Sequence, residues 1–365
     1  MKYKSLYIGI GAIILSSMVV VSCTKLEQET YSVVPNQTFW QTPEQVAAGI
    51  APAYQALTGI PDGAVYNINT ASTDEQLVPT RGNDWYDNGN WQNLWAHTWL
   101  PTTTPINDAW NSLYNGIGKI NFTMSIVNNL ANKPANIDNI NAELKALRAY
   151  YYFLALDMYG NVPLVTDFNT PPDSVTNSTR QQVFTFVESE LKTNMQLLSS
   201  DVDASTYGRV TKWMAFSVLA KLYANAQVYT GTARWNDCIA ACDSVILSGK
   251  YSLQPNYFDN FAVDNEGSVE NIFVVPFDNI NIGGNGWETQ TLHYQNTANF
   301  QLTGGLNNGF CTPADFYNQF DTTSVYTVKG ENTYRTFLDA RSGQYLFGQQ
   351  FNVPPLTTPN ALRRQ

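Results

Sequence analysis

The sequence predicts a mainly α-helical fold: tetratricopeptide-like helical pairs, an α-α superhelix, with long irregular loops and a few short strands. Three observations predict it. Five stretches repeat apolar residues at spacings of three and four, the pattern of amphipathic helices. Two of them, around Leu154-Ala155 with Tyr159 and around Leu219-Ala220 with Tyr223, share a small-residue and aromatic rhythm. Antiparallel helix pairs of tetratricopeptide type use such a rhythm to pack closely. The intervening segments are crowded with Gly, Asn, Thr and Pro, which mark turns and loops.

The chain opens on Lys2 and Lys4, followed by an uncharged run over 6–21. A short basic start before an apolar run is a secretory signal. Because a spanning helix needs about 20 apolar residues, a retained anchor is the other reading of the same run. Its end decides between them. Val20-Val21-Ser22-Cys23 resembles the bacterial lipobox, in which a small residue precedes a cysteine that becomes the lipidated first residue. The expected organisation is therefore a lipoprotein signal over 1–22, a lipidated N-terminus and tether over 23–41, and one helical domain over 42–365.

In that domain, "TPEQVAAGIAPAYQALTG" starts a helix with Thr42 as N-cap, Pro43 at the first position and Glu44 in the first turn. Gly59 and Pro61 end it. Residues 60–104 show no helical period and are expected to be a long irregular segment. The helical stretches follow at 106–130, 140–160, 180–198, 210–231 and 234–249, and "GNVPLVTD" and "ENIFVVPFD" read as short strands. Beyond 278 the sequence reads mostly as loops.

Composition narrows the function. The 20 basic and 30 acidic residues give a net charge of −10, and losing Lys2 and Lys4 with the signal makes it about −12. That balance disfavours a polyanion, so no nucleic-acid partner is expected. Neutral polar residues are plentiful and aromatics reach 13%, a composition suited to an exported protein that meets hydroxyl-rich ligands. Cys23 aside, Cys238, Cys242 and Cys311 are an odd number, which excludes a complete disulfide framework. Cys238 and Cys242, four apart, fall on one helix face and read as small buried hydrophobes. With only His97 and His293 available and no EF-hand spacing, no metal and no cofactor are expected.

Four separated motifs carry a family resemblance. "ELKALRAYYYFLALDMYGNVPLVTD" at 143–167 resembles a hallmark segment of the SusD/RagB outer-membrane lipoproteins of Bacteroidetes-type bacteria. So do residues 208–253, "ENIFVVPFD" at 270–278 and the "DAW…LYNGIGKIN" helix at 108–121. The resemblance implies a helical lipoprotein held to the outer membrane at the cell surface by its lipid anchor. Such a protein sits over a TonB-dependent SusC-like transporter, captures a nutrient, usually an oligosaccharide, and has no catalytic residues. The family's usual later helical motif is absent, which leaves a shortened member or an incomplete sequence as alternatives.

Sugar rings present C–H faces to aromatic rings and hydroxyls to amides and carboxylates. "PTRGNDWYDNGNWQNLWAHTW" meets that need best: Trp85, Tyr86 and Trp91 stand among Asn83, Asp84, Asp87 and Asn88 without helical spacing. Trp91, Trp95 and Trp99, four apart, also fit the buried side of a short helix, and Trp95 and Trp99 are expected there. Trp110 and Tyr114 read as core. In "NIGGNGWETQTLHY", glycines are expected to push Trp287 outward beside Glu288, with Tyr294 further on, while His293 reads as structural. No nucleophile elbow, metalloprotease helix or phosphate-binding loop appears, and the adjacent acids Asp74 and Glu75 read as a solvated turn rather than a hydrolase pair. The expected function is capture of a glycan; the alternative is a peptide or another nutrient on the same scaffold.

Overall fold

The computed structural model describes residues 39–345 apart from 279, 281, 301, 303, 304, 322, 330 and 331. The signal and Cys23 lie outside the described residues. Helix α1 (Pro43–Gln55) begins with a reciprocal cap: Gln45 N donates to Thr42 Oγ1 at 3.3 Å, and Thr42 N donates to Gln45 Oε1 at 3.1 Å. Each bond satisfies an amide that the first helical turn leaves free. A short helix α2 (Ala64–Ala71) follows, then α3 (Asn90–Trp95). Both lie in the stretch expected to be irregular; they are eight and six residues long, too short for a helical period to stand out.

The scaffold consists of α4 (Thr104–Asn128), α5 (Ile137–Tyr159), α6 (Arg180–Asn194), α7 (Lys212–Ala224), the short α8 (Ala226–Thr230) and α9 (Trp235–Ile246). Helix α5 packs on both α4 and α6, α7 packs on α9, and α1 and α2 lie against α4. Small residues set the spacing, as the rhythm predicts. Ala142, Ala146, Ala149 and Ala155 of α5 are fully buried. At Gly116 of α4 an added Cβ would stand 2.3 Å from the Tyr151 ring, so no larger side chain fits between α4 and α5. Leu113, Ile117 and Ile120 meet Leu144, Leu147 and Tyr151 in one continuous core. Trp110 and Tyr114 stack on each other at 4.5 Å at its edge.

Several buried polar groups in this scaffold are matched, although the Tyr151 hydroxyl is not. Arg148 pairs with Glu190 of α6 at 2.9 Å and donates to Asn121 Oδ1 of α4 at 2.8 Å and to Thr166 O at 2.9 Å. Tyr152 both donates to Val165 O and accepts from Val165 N. Gly160, at φ +77°, ends α5 in a conformation that disfavours a side chain, and the chain enters β1 (Val162–Pro163), paired antiparallel with β2 (Asn177–Ser178).

Three further expectations are corrected. "ENIFVVPFD" forms no ladder with the described residues; Asp278 makes an isolated bridge, to Gly283. Beyond 278 the chain is not all loop: α10 (Trp287–Thr291), short turns of helix and a hairpin of β3 (Ser324–Lys329) with β4 (Asn332–Phe337) occur there. Cys242 is exposed and Cys238 only half-buried, since α9 buries little beyond Ala241 against α7. Among the described residues no helix is long and apolar enough to cross a membrane.

Candidate functional site

The aromatic segment 79–99 winds tightly into α3 and turns away after it. Arg81 and Asp84 exchange backbone hydrogen bonds of 3.1 Å, closing a turn around Gly82 and Asn83. The backbone then takes positive φ at Trp85 (57°), Asp87 (41°), Asn88 (56°) and Gly89 (78°). Left-handed non-glycine residues cost of order 1–3 kcal/mol each and persist only where surrounding structure fixes them.

That surrounding structure comes from residues more than 200 positions away. Trp85 Nε1 donates to Asn307 O at 2.6 Å, its ring meets Trp91 and Phe310, and a Cβ at Gly309 would lie 2.4 Å from it. The guanidinium of Arg81 donates to Asn308 O. Leu77 and Cys311 exchange backbone bonds of 2.9 Å. Trp287 packs edge-on against Tyr66 of α2 at 4.7 Å and against Phe310 at 5.2 Å. Nearby, Gly286 N donates to Asp62 Oδ2 at 2.8 Å. The two separate segments chosen from the sequence thus meet in one aromatic cluster of Trp85, Trp91, Phe310, Trp287 and Tyr66.

Within the cluster the rings serve packing. Trp91 is buried at 9% rather than presented to solvent, and its Nε1 donates to Asp87 Oδ2 at 2.7 Å. Trp287 is packed onto the core rather than pushed outward, because Phe310 and Tyr66 offer it an apolar seat. Conversely, Trp95 and Trp99, expected to be buried, are 54% and 44% exposed. Helix α3 ends at Trp95, and His97 reverses the chain at φ 56° with Nε2 at 2.8 Å from Ser72 O. The four-residue spacing therefore does not continue on one helix face. Tyr86 is also exposed.

Beside this cluster opens a cleft of about 450 Å³. Asn67 and Ala64 of α2 form one wall. Asp87 and Asn88 of the loop, with Asn90 and Trp91 of α3, form a second. Thr104, Pro105 and Asp108 at the start of α4 form the third. Several of its polar groups are unmatched. Asn67 donates through Nδ2 to Gln290 Oε1 at 3.3 Å, but its Oδ1 is shielded from water and has no hydrogen-bond partner. Asp108 is exposed and makes no hydrogen bond or ion pair with the described residues. The cleft thus brings carboxylates, amides and a hydroxyl together beside one indole, a set that matches a hydroxyl-bearing ligand. Among the described residues no three His, Cys, Asp or Glu side chains group as metal ligands.

Of the sequence candidates, Trp91 lines the cleft, and Trp85 and Trp287 support its wall. Asn83 and Asp84 are exposed on the turn and do not line it. Glu288, in the first turn of α10, and Tyr294, 59% exposed and tilted over His293 at 4.0 Å, are also outside it. Sequence reasoning missed Asn67, Asn90, Thr104 and Asp108. Thr104 and Asp108, four apart at a helix start, carry the only signal that was available, and it reads equally as a solvated first turn.

Residues 26–224, more than half of the chain, match the profile of a SusD-like family described as "Starch-binding associating with outer membrane". The chain belongs to the SusD-like family. A SusD-like protein of Bacteroides ovatus is 24% identical over 369 residues, covering 95% of this chain and 63% of that relative; the chain thus spans less than two thirds of the relative's length. A solved laminarin-binding SusD-like protein is 25% identical with a TM-score of 0.55, over 63% of this chain and 50% of that one. Surface glycan-binding protein A from Bacteroides thetaiotaomicron shares the fold at 22% identity and a TM-score of 0.65, over 79% of this chain and 64% of its own.

Proposed function

We propose that this chain is a non-catalytic glycan-capture lipoprotein. In this reading it is anchored through Cys23 to the outer membrane, its tether runs over 23–41, and its helical domain begins at 42. It hands its ligand to a TonB-dependent SusC-like transporter. Family membership supports the membrane and transporter parts. One observation carries the ligand part: the exposed Asp108 carboxylate lines the cleft with no hydrogen bond or ion pair among the described residues, whereas Arg148, Asn121 and Glu190 inside the scaffold are paired with one another. The exposed Asp108 carboxylate can accept from a sugar hydroxyl. Trp85, Trp91 and Trp287 hold the cleft's wall. Tyr86, with Trp95 and Trp99, supplies exposed rings for stacking outside it. Asn83, Asp84, Glu288 and Tyr294 are assigned to outer contacts with a longer chain.

Titration of the protein with laminari-, malto-, cello- and xylo-hexaoses and with peptides, followed by tryptophan fluorescence alongside a reducing-sugar assay, tests the reading. Binding to a glycan without released sugar is expected. Asp108→Ala should weaken it roughly tenfold, the worth of one hydrogen bond to a charged group. Sugar release, binding to peptides alone, or an unchanged affinity in Asp108→Ala would contradict it.

A further inference from the structure

The walls of the cleft also bear on which glycans fit, an inference that rests on the glycan-capture reading. Two carboxylates, Asp87 and Asp108, stand on different walls, and no Lys, Arg or His is among the lining residues. The nearest loop cation, Arg81, is committed to the backbone oxygens of Asn308 and Pro79. An anionic sugar entering the cleft would therefore meet like charge and no counter-charge. The whole chain, at −10, adds a field of the same sign.

A second, independent feature points the same way. The unmatched groups, Asn67 Oδ1 and the Asp108 carboxylate, are acceptors. Hydroxyl and ammonium groups supply the donors they lack, whereas a carboxylate or sulfate brings only further acceptors. Two features favour anions. Asn88 and Asn90 can donate through their amides, but neutral donors do not offset two charges. Helix α4 also turns its positive end toward the cleft, yet that end has few free donors. Pro105 has no N–H, and the amides of Ile106 and Asn107 are both spent on Thr103 O, which leaves Thr104 N. Asp108, just inside that end, sets a full negative charge against the partial positive one.

We propose that the cleft selects sugar chains that are uncharged or carry ammonium groups and excludes uronates and sulfated sugars, with Asp87 and Asp108 as the excluding residues. A ligand carboxylate about 5 Å from each of them, in water-like dielectric, loses roughly tenfold in affinity.

The test compares hexasaccharides of equal length on the whole chain. The neutral probes are laminarihexaose, the ligand of a related solved complex, together with malto-, cello- and xylo-hexaose. The anionic probes are hexagalacturonate and a carboxymethylated version of whichever neutral sugar binds. Wild type is expected to bind its neutral sugar at least about tenfold more tightly than the carboxymethylated form, with the gap narrowing as salt is raised. Asp108→Asn, an exposed change, and the double variant with Asp87→Asn, checked for native circular dichroism, should narrow the gap further, read as the ratio of neutral to carboxymethylated affinity within each variant, because the hydrogen bond weakened at Asp108 is lost to both sugars alike.

Equal affinity for both forms, preference for an anionic probe, or a gap that neither salt nor Asp108→Asn moves would overturn the charge selection and leave glycan capture standing. Failure of every neutral hexasaccharide, with peptides bound instead, would overturn glycan capture and the selection with it.

Discussion

The two ends of α4 treat polar side chains in opposite ways. Toward its C-terminal end, Asn121 is buried and accepts from Arg148, which itself pairs with Glu190. At its start, Asp108 is exposed and, among the described residues, unpartnered, and it shares the cleft with Asn67, whose Oδ1 has no donor among them. One helix therefore carries a buried hydrogen-bonded cluster near one end and forms the rim of a cleft with unused hydrogen-bonding capacity at the other. Aromatic side chains divide the same way. Tyr114, Tyr152 and Tyr159 spend their hydroxyls on backbone oxygens in the scaffold, whereas Tyr86, Trp95 and Trp99 expose their rings on the loop side. The candidate site is marked by open polar groups and exposed rings together, since an unmatched group alone also occurs in the core, as at the Tyr151 hydroxyl.

The largest effect separating the two regions is expected at Arg148. Replacing it with Ala leaves Glu190 and Asn121 without their partner in a nearly dry site, a loss of about 3–5 kcal/mol. Urea unfolding of Arg148→Ala should show a correspondingly lower midpoint. A midpoint close to wild type would mean that the scaffold does not depend on its matched polar groups.

Alkaline pH separates the regions next. Burial pushes the phenols of Tyr152 and Tyr159 up to about 12 from a usual value of 10.0. Because the folded state holds these protons more tightly, the stability they contribute is complete below pH 10. It is lost as pH rises from 10 toward 12, where the unfolded chain gives up protons first. Denaturant midpoints measured at pH 9, 10 and 11 should be similar up to 10 and fall by 11. A flat profile through pH 11 would place these tyrosines in water.

Much of the scaffold was legible in the sequence because its signals repeat. Helices α4, α5 and α7 each carry an apolar period over several turns, Thr42 caps α1, and Gly160 stops α5. Short elements have no such redundancy: α2 shows Val65, Ile68 and Ala71 on its buried side within only eight residues. The hairpin 324–337 carries alternating β-branched and aromatic residues on either side of Gly330, a strand signal outweighed by the surrounding Asn, Gly and Thr. Part of the cleft's lining falls in a stretch that the sequence marked, since Asp87, Asn88 and Trp91 belong to it. The role of each ring was not. Whether Trp85 and Trp91 face water or core is decided by Asn307, Gly309 and Phe310, distant in sequence. Asn67 and Asp108 on helices resemble any solvated face until the walls around them are seen.

The smallest expected effect is also the most direct test. Hydrogen–deuterium exchange would be followed on the whole chain, with and without the neutral hexasaccharide that binds. Slower exchange is expected over 83–95 and at the start of α4, with no change over 142–156 in the core of α5. A ligand that binds while those segments exchange as before, and that protects another surface instead, would show that the unmatched cleft is not where this protein holds its ligand.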